Sequence, residues 1–186
     1  MRKVAVFGNT GGGKSALARR LAEITGLPLY VLDIIQFRGG RYWPAEQNGG
    51  KLSEEEYVRL HRDILGYDQW IIDGYGSLAS AWQRFDVADT LVYIDLPLPV
   101  HYWGVTKRFT TGLFRNPKGW PEDSPIWEST LDSYQVVWRY HRRLTPKYRQ
   151  LIASADQSKQ VHHLRSRPEM KAFIQAVEQQ RWRDLQ

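Results

Sequence analysis

Residues 8–15 read Gly8-Asn9-Thr10-Gly11-Gly12-Gly13-Lys14-Ser15, and these eight residues decide the fold. They satisfy G-x-x-x-x-G-K-[ST] in full. On the amino side, Val4-Ala5-Val6-Phe7 is a short apolar run that predicts a buried strand over residues 2–7. On the carboxyl side, Leu17, Leu21 and Ile24 recur at helical spacing until Gly26-Leu27-Pro28 stops the helix. Strand, glycine loop and helix in that order form a phosphate-binding unit. The glycines let the backbone curl into a nest whose N–H groups face phosphate oxygens, and the helix presents its positive end to the same anion. Lys14 reaches the β- and γ-phosphates as a point charge, and Ser15 offers a hydroxyl to Mg²⁺. The expected cofactor is ATP with Mg²⁺, held by Gly8, Asn9, Thr10, Gly11, Gly12, Gly13, Lys14 and Ser15, with Ala16 beside them in the first helical turn.

Working outward, Leu29 to Leu32 is a second apolar run ending at Asp33, and residues 36–50 read as loop. Ser53-Glu54-Glu55-Glu56 is a capping box that opens a helix running to about Leu65. Trp70-Ile71-Ile72 is a third strand ending at Asp73-Gly74, Thr90 to Leu96 a fourth, and His162 to Leu164 a weak fifth. Pro168 to about Trp182 reads as the last helix. Strands alternating with helices predict a parallel α/β sheet. Residues 99–155 break that rhythm with Pro117, Pro121 and Pro125, and read as helices flanking an insert. The 186 residues allow one domain, with a lid-type insert at about 109–130.

Ligands of open parallel sheets sit beyond the carboxyl ends of the strands. Asp33, Asp73 and Asp95 occupy such positions. Asp73 and Asp95 both have the form of a Walker-B acid, and Asp73 is favoured for the metal, because Pro97 closely follows Asp95. Two readings of Asp33 stand side by side. It accepts a proton from an acceptor hydroxyl, or it is a turn or helix-capping aspartate. Phe37, Arg38, Arg41, Tyr42 and Trp43 follow it and suit either a planar or phosphorylated acceptor or a loop packed on the core.

The net charge is +6, and the positive residues gather late, from Lys107, Arg108, Arg115 and Lys118 to Arg139, Arg142, Arg143, Lys147 and Arg149. Arg139 and Arg143 share a helix face. Arginines that close over a moving phosphoryl group stabilise its charge; a solvated basic helix face is the bland alternative. Trp103, Trp120, Trp127 and Trp138 lie among these cations. Stacking aromatics between cations also suit a nucleic acid, but no nucleic-acid module signature is present, so phosphate of a nucleotide is the favoured partner. With no cysteine, disulfides and thiolate metal sites are excluded. No stretch approaches the roughly 18 apolar residues of a membrane span, and the expected location is cytoplasmic.

The chain resembles the adenylate-kinase-like P-loop proteins of the DNA topology modulation (FlaR-like) family. The likeness rests on Gly8 to Ser15, Leu27 to Asp33, Trp70 to Tyr75, Ala88 to Pro97 and a late helix with Trp138, Tyr140, Arg142 and Arg143. It implies a three-layer fold with a five-stranded parallel sheet ordered 2-3-1-4-5 and a helical lid. It also implies a kinase-type site for ATP and a small acceptor, a nucleotide or a hydroxyl metabolite. Lid arginines would approach the phosphates, here Arg108, Arg139, Arg142 and Arg143, and the loop Leu164-Arg165-Ser166 would border the base. Where that family commonly has Asp-Gly-Asn-Tyr, this chain reads Asp73-Gly74-Tyr75-Gly76. The helix and lid patterns that bind AMP in adenylate kinases are absent, so AMP is not the expected acceptor. A nucleotide-gated protein acting on DNA is the rival reading.

Overall fold

In a computed structural model, residues 1–36, 52–112 and 126–184 are described. The centre of the expected insert, 113–125, lies outside them, as do Phe37, Arg38, Arg41, Tyr42, Trp43, Arg115, Lys118 and Trp120.

Five strands build one parallel sheet: β1 (Lys3–Gly8), β2 (Leu29–Val31), β3 (Trp70–Asp73), β4 (Thr90–Ile94) and β5 (Gln160–Leu164). Their order is β2-β3-β1-β4-β5, the order that the resemblance implies. The central strand has helices on both faces, so its apolar run is continuous rather than alternating. Val4, Ala5, Val6 and Phe7 are all at most 1% exposed.

The helices sort to the two faces by what they bury. Leu17, Ala18 and Leu21 of α1 (Lys14–Thr25) join Met170 and Phe173 of α8 (Arg167–Asp184) over Val4 and Val6. On the other face Phe7 meets Phe85 of α4 (Leu78–Val87), Tyr93 of β4 and Tyr148 of α7 (Thr145–Ala153), with ring centroids 4.5, 5.1 and 5.0 Å away. Ile64 and Leu65 of α3 (Glu54–Gly66) extend that core.

Local signals set the helix ends. Gly26 caps α1 in the left-handed conformation and its N–H donates to the Ala22 carbonyl at 2.8 Å. The capping box at α3 is formed on both sides: the Glu56 N–H donates to Ser53 Oγ and the Ser53 N–H to the Glu56 carboxylate, each at 3.2 Å. The second strand stops earlier than its apolar run suggests. Leu32 begins a short helix, α2 (Leu32–Gln36), and Asp33 sits in its first turn. The long basic region folds as α5 (Leu98–Gly112), α6 (Ile126–Arg143) and α7, and α5 packs along α6. Among the described residues no helix is long and apolar enough to cross a membrane.

Candidate active site

The carboxyl ends of β1, β2 and β3 meet at one mouth. Strand register aligns Val6 with Asp73 and Val31 with Asp73, so the acid sits level with the exit of β2 and two residues short of the end of β1 at Gly8. Lys14 opens α1 above it, and its Nζ donates to the Asn9 carbonyl at 2.9 Å, folded back onto its own loop. Burial pulls the Lys14 ammonium below its usual range, and the nearby Asp73 and Asp33 carboxylates pull it back up. Burial pushes Asp73 above the usual carboxylate range, while Lys14 and Ser15 oppose the shift. These mutual influences place Lys14, Asp73, Asp33 and Ser15 at one site.

Asp73 is 1% exposed, yet its Oδ1 has no hydrogen-bond partner. A buried carboxylate oxygen left open calls for a cation or an ordered water. With the Ser15 hydroxyl alongside, the donor set is all oxygen, which suits Mg²⁺. Asp33 is exposed at the rim. A Cβ built on Gly74 would lie 3.3 Å from Asp33 Oδ1, so the turn after β3 and the first turn of α2 face each other across the mouth.

The phosphate loop is clasped from behind by elements far away in sequence. Asn9 Nδ2 donates to the Val137 carbonyl of α6 at 2.9 Å, and Asn9 Oδ1 accepts the Thr10 N–H at 2.8 Å. His101 of α5 donates through Nδ1 to the Thr10 carbonyl at 2.8 Å. Burial drops the His101 pKa to about 4, so the ring is neutral at pH 7. Gly11 lies at φ 73°, and a side chain there would enter the His101 carbonyl. The same contact forbids a side chain at Gly104, where a Cβ would enter the Gly11 carbonyl. On the α8 side, Arg167 approaches Gly13 closely enough that a Cβ would meet its guanidinium at 2.6 Å. His101, Gly104 and Arg167 carry no motif, and sequence reading passes over them.

The arginines divide. Arg108 of α5 donates to Ser133 Oγ of α6 at 2.9 Å, and its charge is felt by Lys14. Arg139, Arg142 and Arg143 are exposed, with Arg142 over the Trp138 ring at 5.8 Å on the same helix. Arg165 lies against the His163 ring, at 3.2 to 3.3 Å from Nδ1. There it lines a groove of about 800 Å³ with Asp95, Pro97, His141, Arg149 and His163. Asp95 is spent in this groove. Burial favours its neutral form, but a bidentate pair with Arg149 (2.8 and 3.1 Å) and a bond to His163 Nε2 (2.9 Å) outweigh it and hold the carboxyl below the usual range.

One buried cation belongs to the turn after β3. Arg84 of α4 is 0% exposed and donates through Nη2 to the Gly74 and Tyr75 carbonyls at 2.8 and 3.0 Å.

Solved structures share this architecture. The "Shikimate kinase from Acinetobacter baumannii in complex with shikimate" superposes with a TM-score of 0.62 at 14% identity, over 99% of this chain and 94% of that one. The fold is that of a P-loop kinase. A shikimate kinase from Bacteroides thetaiotaomicron gives a TM-score of 0.51 at 13% identity, over 95% of this chain and 96% of that one. No protein-family model matches the chain, and no curated protein matches it by sequence. At these identities the P-loop kinase likeness speaks for the fold alone.

Proposed function

We propose that this chain is a magnesium-dependent phosphotransferase that moves the γ-phosphoryl group of ATP to the hydroxyl of a small acceptor. The observation that carries the reading is the convergence of Lys14, Ser15, Asp73 and Asp33 at one strand-end mouth. Lys14 exchanges the Asn9 carbonyl for phosphate oxygens and neutralises charge as it spreads over the moving group. The loop N–H groups and the start of α1 hold the rest of the polyphosphate tail. Ser15 and Asp73 are the residues that would hold Mg²⁺, and that ion would supply neutralisation of phosphate charge. Asp33, exposed across from Gly74, orients the acceptor hydroxyl and takes its proton. Arg108 is the arginine assigned to the phosphates, a reading supported by the reach of its charge to Lys14. Arg139, Arg142 and Arg143 join it only through movement of α6, and the insert at about 109–130 acts as the lid. Arg165 borders the base end through the loop that leads to Arg167.

The resemblance to the FlaR-like family supports the same nucleotide site and adds a rival in which DNA is the target. One experiment separates them. The full chain is given Mg-ATP with a panel of nucleotides and small hydroxyl metabolites, and separately with duplex DNA, and ADP release is scored. Release stimulated by one metabolite and not by DNA is expected. Stimulation by DNA alone, with DNA affinity falling steeply in salt, would replace the kinase reading by the DNA-directed one.

A further inference from the structure

Among the described residues, eight buried side-chain polar atoms lack a hydrogen bond, and five of them belong to Arg84, Tyr57 and His61. The three stand together. Tyr57 and His61 have ring centroids 6.0 Å apart, and the Arg84 charge is felt by both. All are at most 1% exposed. Arg84 uses Nη2 on the two turn carbonyls, while its Nε and Nη1 remain open. A guanidinium keeps its proton, so its charge must be met by a partner rather than titrated away. The carbonyl dipoles and the face of the Phe85 ring, 5.0 Å from the guanidinium carbon, meet it in part, and no carboxylate forms an ion pair with it among the described residues. Burying a charge this way is costly unless something completes its shell.

What would complete it follows from the donors. Arg84 offers Nε–H and Nη1–H and His61 one ring N–H. The Tyr57 O–H, which Ser80 and the Ser77 backbone influence without meeting it in a formed hydrogen bond, is a further donor. Burial and the Arg84 charge hold the His61 pKa to about 4, so the ring brings a donor without a second positive charge. One positive charge with donor groups beside it suits an oxyanion.

The place matters as much as the chemistry. Arg84 grips the Gly74–Tyr75 turn at its carbonyls, and Asp33 faces Gly74. A molecule whose anionic group met Arg84 would therefore lie beside the carboxylate assigned to its hydroxyl. We infer that Arg84, Tyr57 and His61 form an oxyanion pocket under the β3–α4 turn, filled by a carboxylate or phosphate group of the phosphoryl acceptor. This rests on the kinase reading for the identity of the occupant, and on the three residues alone for the pocket. The three side chains are buried in this conformation, and the turn above them has left-handed glycines, Gly74 (φ 109°) and Gly76 (φ 67°), on either side of Tyr75.

The test has two arms, both on the full chain. In the first, the phosphate loop is occupied with a non-hydrolysable Mg-ATP analogue and sodium formate is titrated in by calorimetry. Binding is expected, weakened about tenfold or more in both Arg84→Met and Tyr57→Phe, as loss of charge-assisted hydrogen bonds requires. Circular dichroism checks that each variant is folded, and Tyr57→Phe, which removes one oxygen, carries the test if Arg84→Met is not. No formate binding, or the same binding in the folded variants as in the parent, overturns the pocket. In the second arm, hydroxy acids are compared with their own primary amides as acceptors. The acid is expected to exceed its amide in kcat/KM by about tenfold or more, with the gap collapsing in Arg84→Met. Acid and amide reacting alike, with formate binding intact, assigns the pocket to a free anion and overturns the acceptor claim. If no acceptor of either kind releases ADP, the kinase reading fails, while Arg84-dependent formate binding still upholds the pocket.

Discussion

In the proposed reaction Lys14 and Asp33 divide the chemistry at this mouth, and their surroundings say how. Lys14 is drawn into the protein and held by a backbone carbonyl, so its charge is aimed and poorly screened. Replacing it with Ala removes that charge from the phosphates. ATP turnover should fall by about 100-fold or more, read as ADP release under saturating nucleotide, and unchanged turnover would count against the phosphate-loop assignment. Asp33 stands exposed at the rim, where the proposed reaction has it meet the acceptor rather than the nucleotide. Asp33→Asn keeps the shape and removes the base. Transfer should slow by about 100-fold or more, with the ATP dissociation constant within about twofold of the parent; transfer at the parent rate would make Asp33 a structural residue of α2. Asp73 and Lys14 could be read from their motif positions. Arg84 could not, because a lone arginine within an amphipathic helix gives no sign that it turns inward onto a carbonyl pair.

At the scale of the element, α5 both leaves β4 and backs the phosphate loop. Gly104 makes that possible by letting the helix axis approach the Gly11 carbonyl. Gly104→Ala improves helix propensity but inserts a methyl group into that contact. The expected net effect is a loss of about 1–3 kcal/mol in stability, measured by urea unfolding, together with weaker ATP binding. A stabilised protein with parent affinity would show that the helix and loop need no close contact. Elements also differ in how plainly the sequence announces them. Central strands were legible because strands covered on both faces are written as apolar runs, as at Val4–Phe7 and Leu91–Ile94. The capping box announced α3. In contrast, α2 spans five residues inside what reads as strand and loop, and the one sign of where α4 starts is Ser77 at its cap position after Gly76. His101 and Arg167 were illegible for a different reason. Their roles come from packing against a loop far away along the chain, and local pattern holds no record of it.

For the whole molecule, acid sensitivity follows from two interior imidazoles. His61 and His101 have pKa values near 4 in the folded chain, against an ordinary value of 6.5. Between those values the unfolded chain binds more protons than the folded one, so stability rises with pH across that window. Their contribution is fully present above about pH 6.5 and is lost as the pH falls toward 4, by at most about 3 kcal/mol for each ring. Below that, Asp95 follows, since its pairing with Arg149 and His163 requires the ionised form. Urea midpoints should therefore decline steadily from pH 7 to pH 4.5, and a His61→Gln variant should show a shallower decline. A flat profile in the parent would mean that both rings protonate as readily inside as outside.

The bonds that clasp the phosphate loop span 128 residues from Asn9 to Val137 and 91 from Thr10 to His101. On the ribosome, the glycine loop emerges well before its backing wall. Until Val137 has cleared the exit tunnel, the loop lacks the helix that holds Asn9, so ATP has no shaped cradle on the nascent chain to bind. Nucleotide therefore finds its shaped cradle only once α6 has been made and has packed against the loop.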